Sequence, residues 1–170
     1  MDRRYPYIGP AEIRDRVVPG CLGREIGSAG DLAVWLAEWP ADEREEPFTF
    51  VVDAGGALRL APRRSEHVVC AGGGPVLSAG EMGFVRDGDR WAVREVSNQS
   101  TGYCPDVTSW AAVAAALDRA GLDHPGGFTH PIVFRRCPRC GQRNIVKDDH
   151  FGCAACETPL PSVWNLGTTG

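Results

Sequence analysis

The sequence predicts an α+β protein: an antiparallel sheet with two to four packed helices, followed by a docked C-terminal zinc ribbon. Three observations carry this. Cys137-Pro138-Arg139-Cys140 and Cys153-Ala154-Ala155-Cys156 are separated by twelve residues, a spacing with which four thiolates wrap one tetrahedral zinc ion. Runs of β-branched and aromatic residues come in pairs joined by Gly- and Asp-containing turns, as hairpins do. Apolar residues recur at helical spacing around Trp35 and again around Val113.

In chain order, residues 10–18 read as a short helix with proline in its first turn, stopped by Pro19-Gly20. Ser28-Ala29-Gly30-Asp31 resembles an N-terminal cap. Leu32, Trp35, Leu36 and Trp39 then lay one face of a second helix on the core until Pro40. Residues 42–47 are expected to form an acidic loop. Residues 48–53 and 57–61 pair as a hairpin about Ala54-Gly55-Gly56. Residues 65–70 read as a helical turn ended by Gly72-Gly73-Gly74. Residues 75–86 and 90–96 form a second strand pair joined at Asp87-Gly88-Asp89. A polar loop spans 98–105. A third long helix starts at 106–109, buries Trp110, Val113, Ala114 and Leu117, and closes at Gly121. A Gly/Pro loop covers 122–129, and a strand at 131–136 runs straight into the first cysteine pair. With no flexible linker there, the ribbon is expected to be docked. The predicted domains are a body over 1–130, a ribbon over 131–163 continuous with it, and a frayed tail over 164–170.

Bulk properties narrow the function. A chain of 170 residues with 43% hydrophobic and 24% charged residues is long enough to bury its own core without disulfides. A net charge of −4 argues against a protein that coats nucleic acid or anionic membrane through its overall field. Only Lys147 among the 18 basic residues is lysine, which reads as compositional bias rather than phosphate recognition. No signal-peptide pattern follows Met1, and the longest apolar run, 110–117, is too short to span a bilayer. Thiols kept reduced for a metal fit the cytoplasm, where the protein is expected.

The expected metal ligands are Cys137, Cys140, Cys153 and Cys156. A catalytic zinc keeps one position open, whereas four cysteines close the coordination, so the sequence predicts one structural Zn2+. Segment 131–161 carries five basic and three acidic residues, a surplus of two that offsets the −2 of four thiolates around a divalent ion. In Cys-Pro-x-Cys-Gly, proline restricts one dihedral and Gly141 lets backbone amides turn towards sulfur. Asp148 and Asp149 near the hairpin turn would repel phosphates, although Arg135, Arg136, Arg139 and Arg143 keep nucleic-acid binding as a less favoured reading. His150 is a spare ligand type, read as an exposed turn residue.

The other concentration of unusual residues runs from 67 to 105, with His67, Gly73-Gly74, Ala79-Gly80-Glu81 and Ser100-Thr101-Gly102-Tyr103-Cys104-Pro105. It resembles a module of plant IQ-motif calmodulin-binding proteins and bacterial toxin-associated proteins. There a histidine precedes a Gly-Gly turn, an Ala-Gly-[Glu/Arg] strand and a Ser-Gly-His-Tyr-x-Pro loop. Thr101-Gly102 stands here where that module has Gly-His. The loop at 98–105 followed by the ribbon is also similar to an uncharacterised bacterial zinc-ribbon protein family. The resemblance implies that 67–105 forms one site and supplies no chemistry.

Three functional readings follow. The favoured one is a zinc-binding accessory or scaffold protein whose partner is another protein, with no membrane. The alternative is an enzyme, a hydrolase or transferase, with a pocket of His67, Glu81, Tyr103 and Cys104. In it Cys104 is nucleophile, His67 base, and Glu81 or Asp106 the orienting carboxylate. Against it, cysteine is often a small buried hydrophobe, and His67 and Tyr103 read equally as packed residues. Nucleic-acid binding through the ribbon is third. Cys70 with His67 and Cys104 lacks the spacing of a second metal site, and Cys21 has no evident role.

Overall fold

The computed structural model describes residues 2–167. Its centre is strand β2 (Phe48–Asp53), whose first five residues are all buried. The unbroken run Phe48-Thr49-Phe50-Val51-Val52 leaves no polar face to turn to water, so the strand belongs in the middle of a sheet covered on both sides. It pairs antiparallel with β3 (Leu58–Ala61) and with β4 (Val76–Asp87). β4 also pairs with β5 (Arg90–Val96), and β3 with the two-residue β1 (Arg24–Glu25). The sheet order is β1-β3-β2-β4-β5, all antiparallel. Both predicted hairpins are present. β1 was not anticipated, because two charged residues carry no strand pattern.

Alternation along β2 sends side chains into two cores. Phe48, Phe50 and Val52 join Leu32, Trp35 and Leu36 of α2 (Ala29–Ala37) and Val113 and Leu117 of α5 (Trp110–Arg119). Val51 points the other way, into a cluster with Tyr5, Tyr7, Val68, Cys70, Ala79 and Tyr103. That second core lies under α4 (His67–Cys70) and the N-terminal segment, which joins the sheet through Tyr5 and Val76. α1 is Ala11–Arg14, shorter than expected.

The predicted cap of α2 is present: the Asp31 N–H donates to Ser28 Oγ at 3.1 Å, and Asp31 Oδ2 accepts from Gly27 N–H at 2.9 Å. The expected acidic loop is instead partly a helical turn, α3 (Ala41–Arg44), which Pro40 can precede because it supplies no N–H to the turn. α5 is preceded by a tight turn over Val107–Ser109 capped by Asp106, whose Oδ1 accepts from Val107 N–H at 2.8 Å. Among the described residues no helix is long and apolar enough to cross a membrane.

The chain leaves the body along β6 (Val133–Arg136), which pairs with β7 (Arg143–Val146) in a separate two-stranded sheet. Asp148 and Asp149 both have positive φ (50° and 56°), and Lys147 pairs with His150 across them. The acids therefore are the turn, in a geometry that aspartate tolerates. Part of the tail expected from 164 is packed on the body. Trp164 packs edge-on against Tyr5 with centroids 5.2 Å apart, and Leu166 is buried. Residues 168–170 of that expected tail lie outside the described residues.

Candidate metal centre and the joint beneath it

The two cysteine pairs fold as near copies. In the first, Cys137 N–H donates to Gln142 O at 2.8 Å and Gly141 N–H to Cys137 O at 3.0 Å. In the second, Cys153 N–H donates to Thr158 O at 2.9 Å and Glu157 N–H to Cys153 O at 2.9 Å. Gly141 and Glu157, the corresponding residues, both have positive φ (76° and 62°). The turn aims amides at sulfur: Cys140 N–H at Cys137 Sγ (3.5 Å) and Ala155 N–H at Cys153 Sγ (3.4 Å).

The four sulfurs converge within 4.8 Å of one another. Cys137–Cys156 and Cys140–Cys153 are 3.6 Å apart, far beyond a disulfide bond of about 2.05 Å. Four sulfurs about 2.3 Å from a central ion would have tetrahedral edges of about 3.8 Å. The cluster could therefore hold one metal ion, and its four sulfurs would supply all four positions. Its titration points the same way. Against desolvation, which raises it, donors from Ala155, Cys156 and Asn144 bring the Cys153 thiol down to about 6. Although an interaction with the Gln142 backbone lowers it, desolvation and the three neighbouring sulfurs push Cys140 up to about 12. Thiols this close share protons rather than hold four charges, and a dication would offset two of the four.

Asn144, buried in β7, ties the two turns together. Its Nδ2 donates to Gln142 O at 2.9 Å and faces Cys153 Sγ at 3.6 Å, while its Oδ1 accepts from Ala154 N–H at 2.9 Å. Arg135 has a structural task as well. Its buried guanidinium donates to Phe134 O (2.8 Å), Pro161 O (3.0 Å) and Ser162 O (2.8 Å). Arg143 donates to Thr101 O at 2.7 Å and Arg136 to Gly141 O at 3.3 Å. Of the four arginines that motivated nucleic-acid binding, these three make contacts to main-chain oxygens.

The loop after β5 is the joint between body and ribbon. Asn98, fully buried, donates to Pro105 O (2.9 Å) and Ile132 O (2.8 Å) and accepts from Ile132 N–H (2.7 Å). Trp164 Nε1 donates to Cys104 O at 2.8 Å. Cys104 itself is left-handed (φ 46°) and lies in a small apolar seam with Phe134 and Leu166.

The proposed catalytic residues do not form one hydrogen-bonded set. His67 Nε2 bonds Gly80 O at 2.9 Å, and burial lowers its pKa despite that bond and nearby Glu66. Tyr103 donates to Gly74 O at 2.6 Å, and burial raises its phenol. Cys104 donates to Thr101 O at 3.4 Å, and burial raises its thiol although Arg143 partly opposes this. Glu81 lines a hollow of about 310 Å³ with Glu95, Ser97, Gln99 and His130, but without the other three. Asp106 serves as a cap and lies 3.7 Å from Arg3. Cys70 is buried with its thiol pushed up to about 12 by desolvation, while Cys21 and His150 are exposed.

Sequence reasoning missed Asn98, Asn144, Trp164 and Arg135 as joint residues. Only Asn144, an uncharged amide inside the cysteine pattern, carried a local hint. No family model, curated protein or solved structure matches this chain, so the resemblance of residues 67–105 rests on those residues alone.

Proposed function

We propose that this protein is a cytosolic accessory or scaffold protein that holds one structural zinc ion and binds another protein. The observation that carries the zinc reading is the convergence of four sulfurs, from Cys137, Cys140, Cys153 and Cys156, within 4.8 Å of one another. Sulfur-only, four-coordinate sites suit zinc, and a filled shell leaves no position for substrate or water. When bound, the ion supplies charge neutralisation and a cross-link. Asn144 and the turn amides orient the sulfurs, as outer-shell groups do.

A protein partner is supported by the surface at Val18 and Leu22, 55% and 50% exposed. Leu22 lines a groove of about 400 Å³ with Trp35, Trp39, Leu60 and Val69. A second hollow shares Trp39 and carries Asp42, Glu43 and Glu46 against Arg63 and Arg64. The complementary occupant is a peptide segment of another protein with an apolar side chain beside a basic one. The enzyme reading has less support, because Cys104 and Tyr103 are buried and already hydrogen-bonded. Nucleic acid has less as well, since Arg135, Arg136 and Arg143 are engaged and two aspartates form the hairpin turn.

Elemental analysis of the purified chain tests the metal: one zinc per chain is expected, lost in Cys140→Ser, and a metal-free native protein would end this reading. For the partner, a protein captured by the native chain should be lost with Leu22→Asp at unchanged zinc content. Capture of only ribosomes and salt-sensitive nucleic acid would replace it with the third reading.

A further inference from the structure

The segment 157–166, which follows the last cysteine, has no strand or helix of its own. It runs back as a strap over β6. Arg135 holds the carbonyls of Pro161 and Ser162. The Asn165 side chain pairs with the main chain of Arg136 in both directions: Arg136 N–H donates to Oδ1 and Nδ2 donates to Arg136 O, each at 2.8 Å. Beyond this, Trp164 bonds Cys104 O, and Leu166 closes over Cys104 and Phe134. The strap is thus rooted at Cys156 and seated on the strand that leads into Cys137. The sulfurs of these two cysteines lie 3.6 Å apart.

We propose that the ion in the cysteine cluster is a latch for this strap, and that losing it unseats residues 157–166 and uncovers Cys104. This rests on the zinc reading above. The physical basis is a difference in self-sufficiency. The five-stranded sheet has a large core on each face. By contrast, β6–β7 pairs with no other strand and meets the body through a few bonds at Ile132 and Arg143, and a two-stranded hairpin is marginal in water. The strap's contacts to Arg135 and Arg136 require β6 to be in place, so its order depends on the ion while the body's does not. Cys104 is sealed from the ribbon side by Trp164 and Leu166, whereas Cys70 is buried inside the body core.

The three cysteines outside the cluster report the result. Full-length zinc-loaded protein, kept reduced with a phosphine, is given short iodoacetamide pulses before and after zinc is removed with a chelator, and labelling is read by peptide mass spectrometry. Cys21, which is exposed, labels in both states. Cys104 is expected to label at least about tenfold faster after removal, because opening governs the rate, while Cys70 stays protected. Trp164→Ala should speed Cys104 labelling with zinc still bound, and Cys70 protection there reports that the body is folded.

Cys104 remaining protected while the four cluster cysteines label would overturn the latch. So would Cys70 opening together with Cys104, since the event would then be global unfolding. A chain that purifies without zinc sinks the zinc reading and the latch with it, whereas bound zinc with a permanently sealed Cys104 sinks the latch alone.

Discussion

Asn98 and Ile132 exchange two hydrogen bonds across 34 residues of chain, Nδ2 donating to the Ile132 carbonyl at 2.8 Å and the Ile132 N–H to Oδ1 at 2.7 Å. A third, from Nδ2 to Pro105 O at 2.9 Å, joins the other limb of the loop. One buried amide therefore extends the Ser97–His130 bridge to Ile132, where the ribbon leaves the body. Asn98→Ala would leave buried backbone groups without partners, at about 1–3 kcal/mol for each group left unsatisfied. Urea unfolding is expected to show a loss of about 3 kcal/mol or more, with hydrogen exchange at Ile132 accelerated. A neutral substitution would show that the joint is held elsewhere.

Asn144 should tune the metal without ligating it. Asn144→Ala keeps all four sulfurs but removes the links to Cys153 Sγ and to the Ala154 and Gln142 main chain. Competition with a chromophoric chelator is expected to show zinc affinity lowered about 10- to 100-fold, with zinc still bound at one per chain in excess metal. Unchanged affinity would reduce Asn144 to a packing residue.

Gly80 has no room for a side chain. A Cβ there would lie 1.9 Å from Ser97 O and 2.7 Å from its carbonyl carbon, both main chain of the residue that follows β5. Gly80→Ala must push β4 from the end of β5 and disturb the carbonyl that accepts from His67. A loss of about 3 kcal/mol or more is expected, the range of severe steric or backbone insults. Thermal unfolding would measure it, and a change below about 1 kcal/mol would mean that the strands can part cheaply.

His67 gives the body an acid-sensitive point. Burial lowers its folded pKa below the ordinary 6.5, against opposing effects from Gly80 O and Glu66. The unfolded chain then binds a proton that the folded one resists. This contribution is whole above pH 6.5 and is lost as pH falls from there through the folded value. His67→Gln should remove that slope while leaving the thiolate protonation of the metal site in place, so the difference between the two melting curves against pH isolates His67. Parallel curves below 6.5 would refute the assignment.

The legible parts of this protein were those encoded by near neighbours. The Cys-x-x-Cys pairs placed four ligands on two tight turns, because a turn of that length brings its own first and last sulfur together. Ser28 and Asp31 announced their helix, and Phe48-Thr49-Phe50-Val51-Val52 announced a central strand. Residues 67–105 were harder to judge. His67, Tyr103 and Cys104 have the chemistry of catalysts, and nothing in their spacing reveals that each meets a main-chain carbonyl instead. Likewise Arg135 looks like its neighbours in an arginine cluster until the carbonyls of Pro161 and Ser162 are seen to surround it.

By itself, then, the sequence determined the α+β class, the two hairpins, the capped helices and the four-cysteine cluster, since local sterics and short-range hydrogen bonds decide all of these. Only the tertiary structure decided what Asn98, Trp164 and Cys104 are for. The partners of the Asn98 amide and the Trp164 indole lie 7 to 60 residues away in the chain, and a buried amide or indole commits its hydrogen bonds to whichever backbone the fold delivers, a choice that no local spacing records.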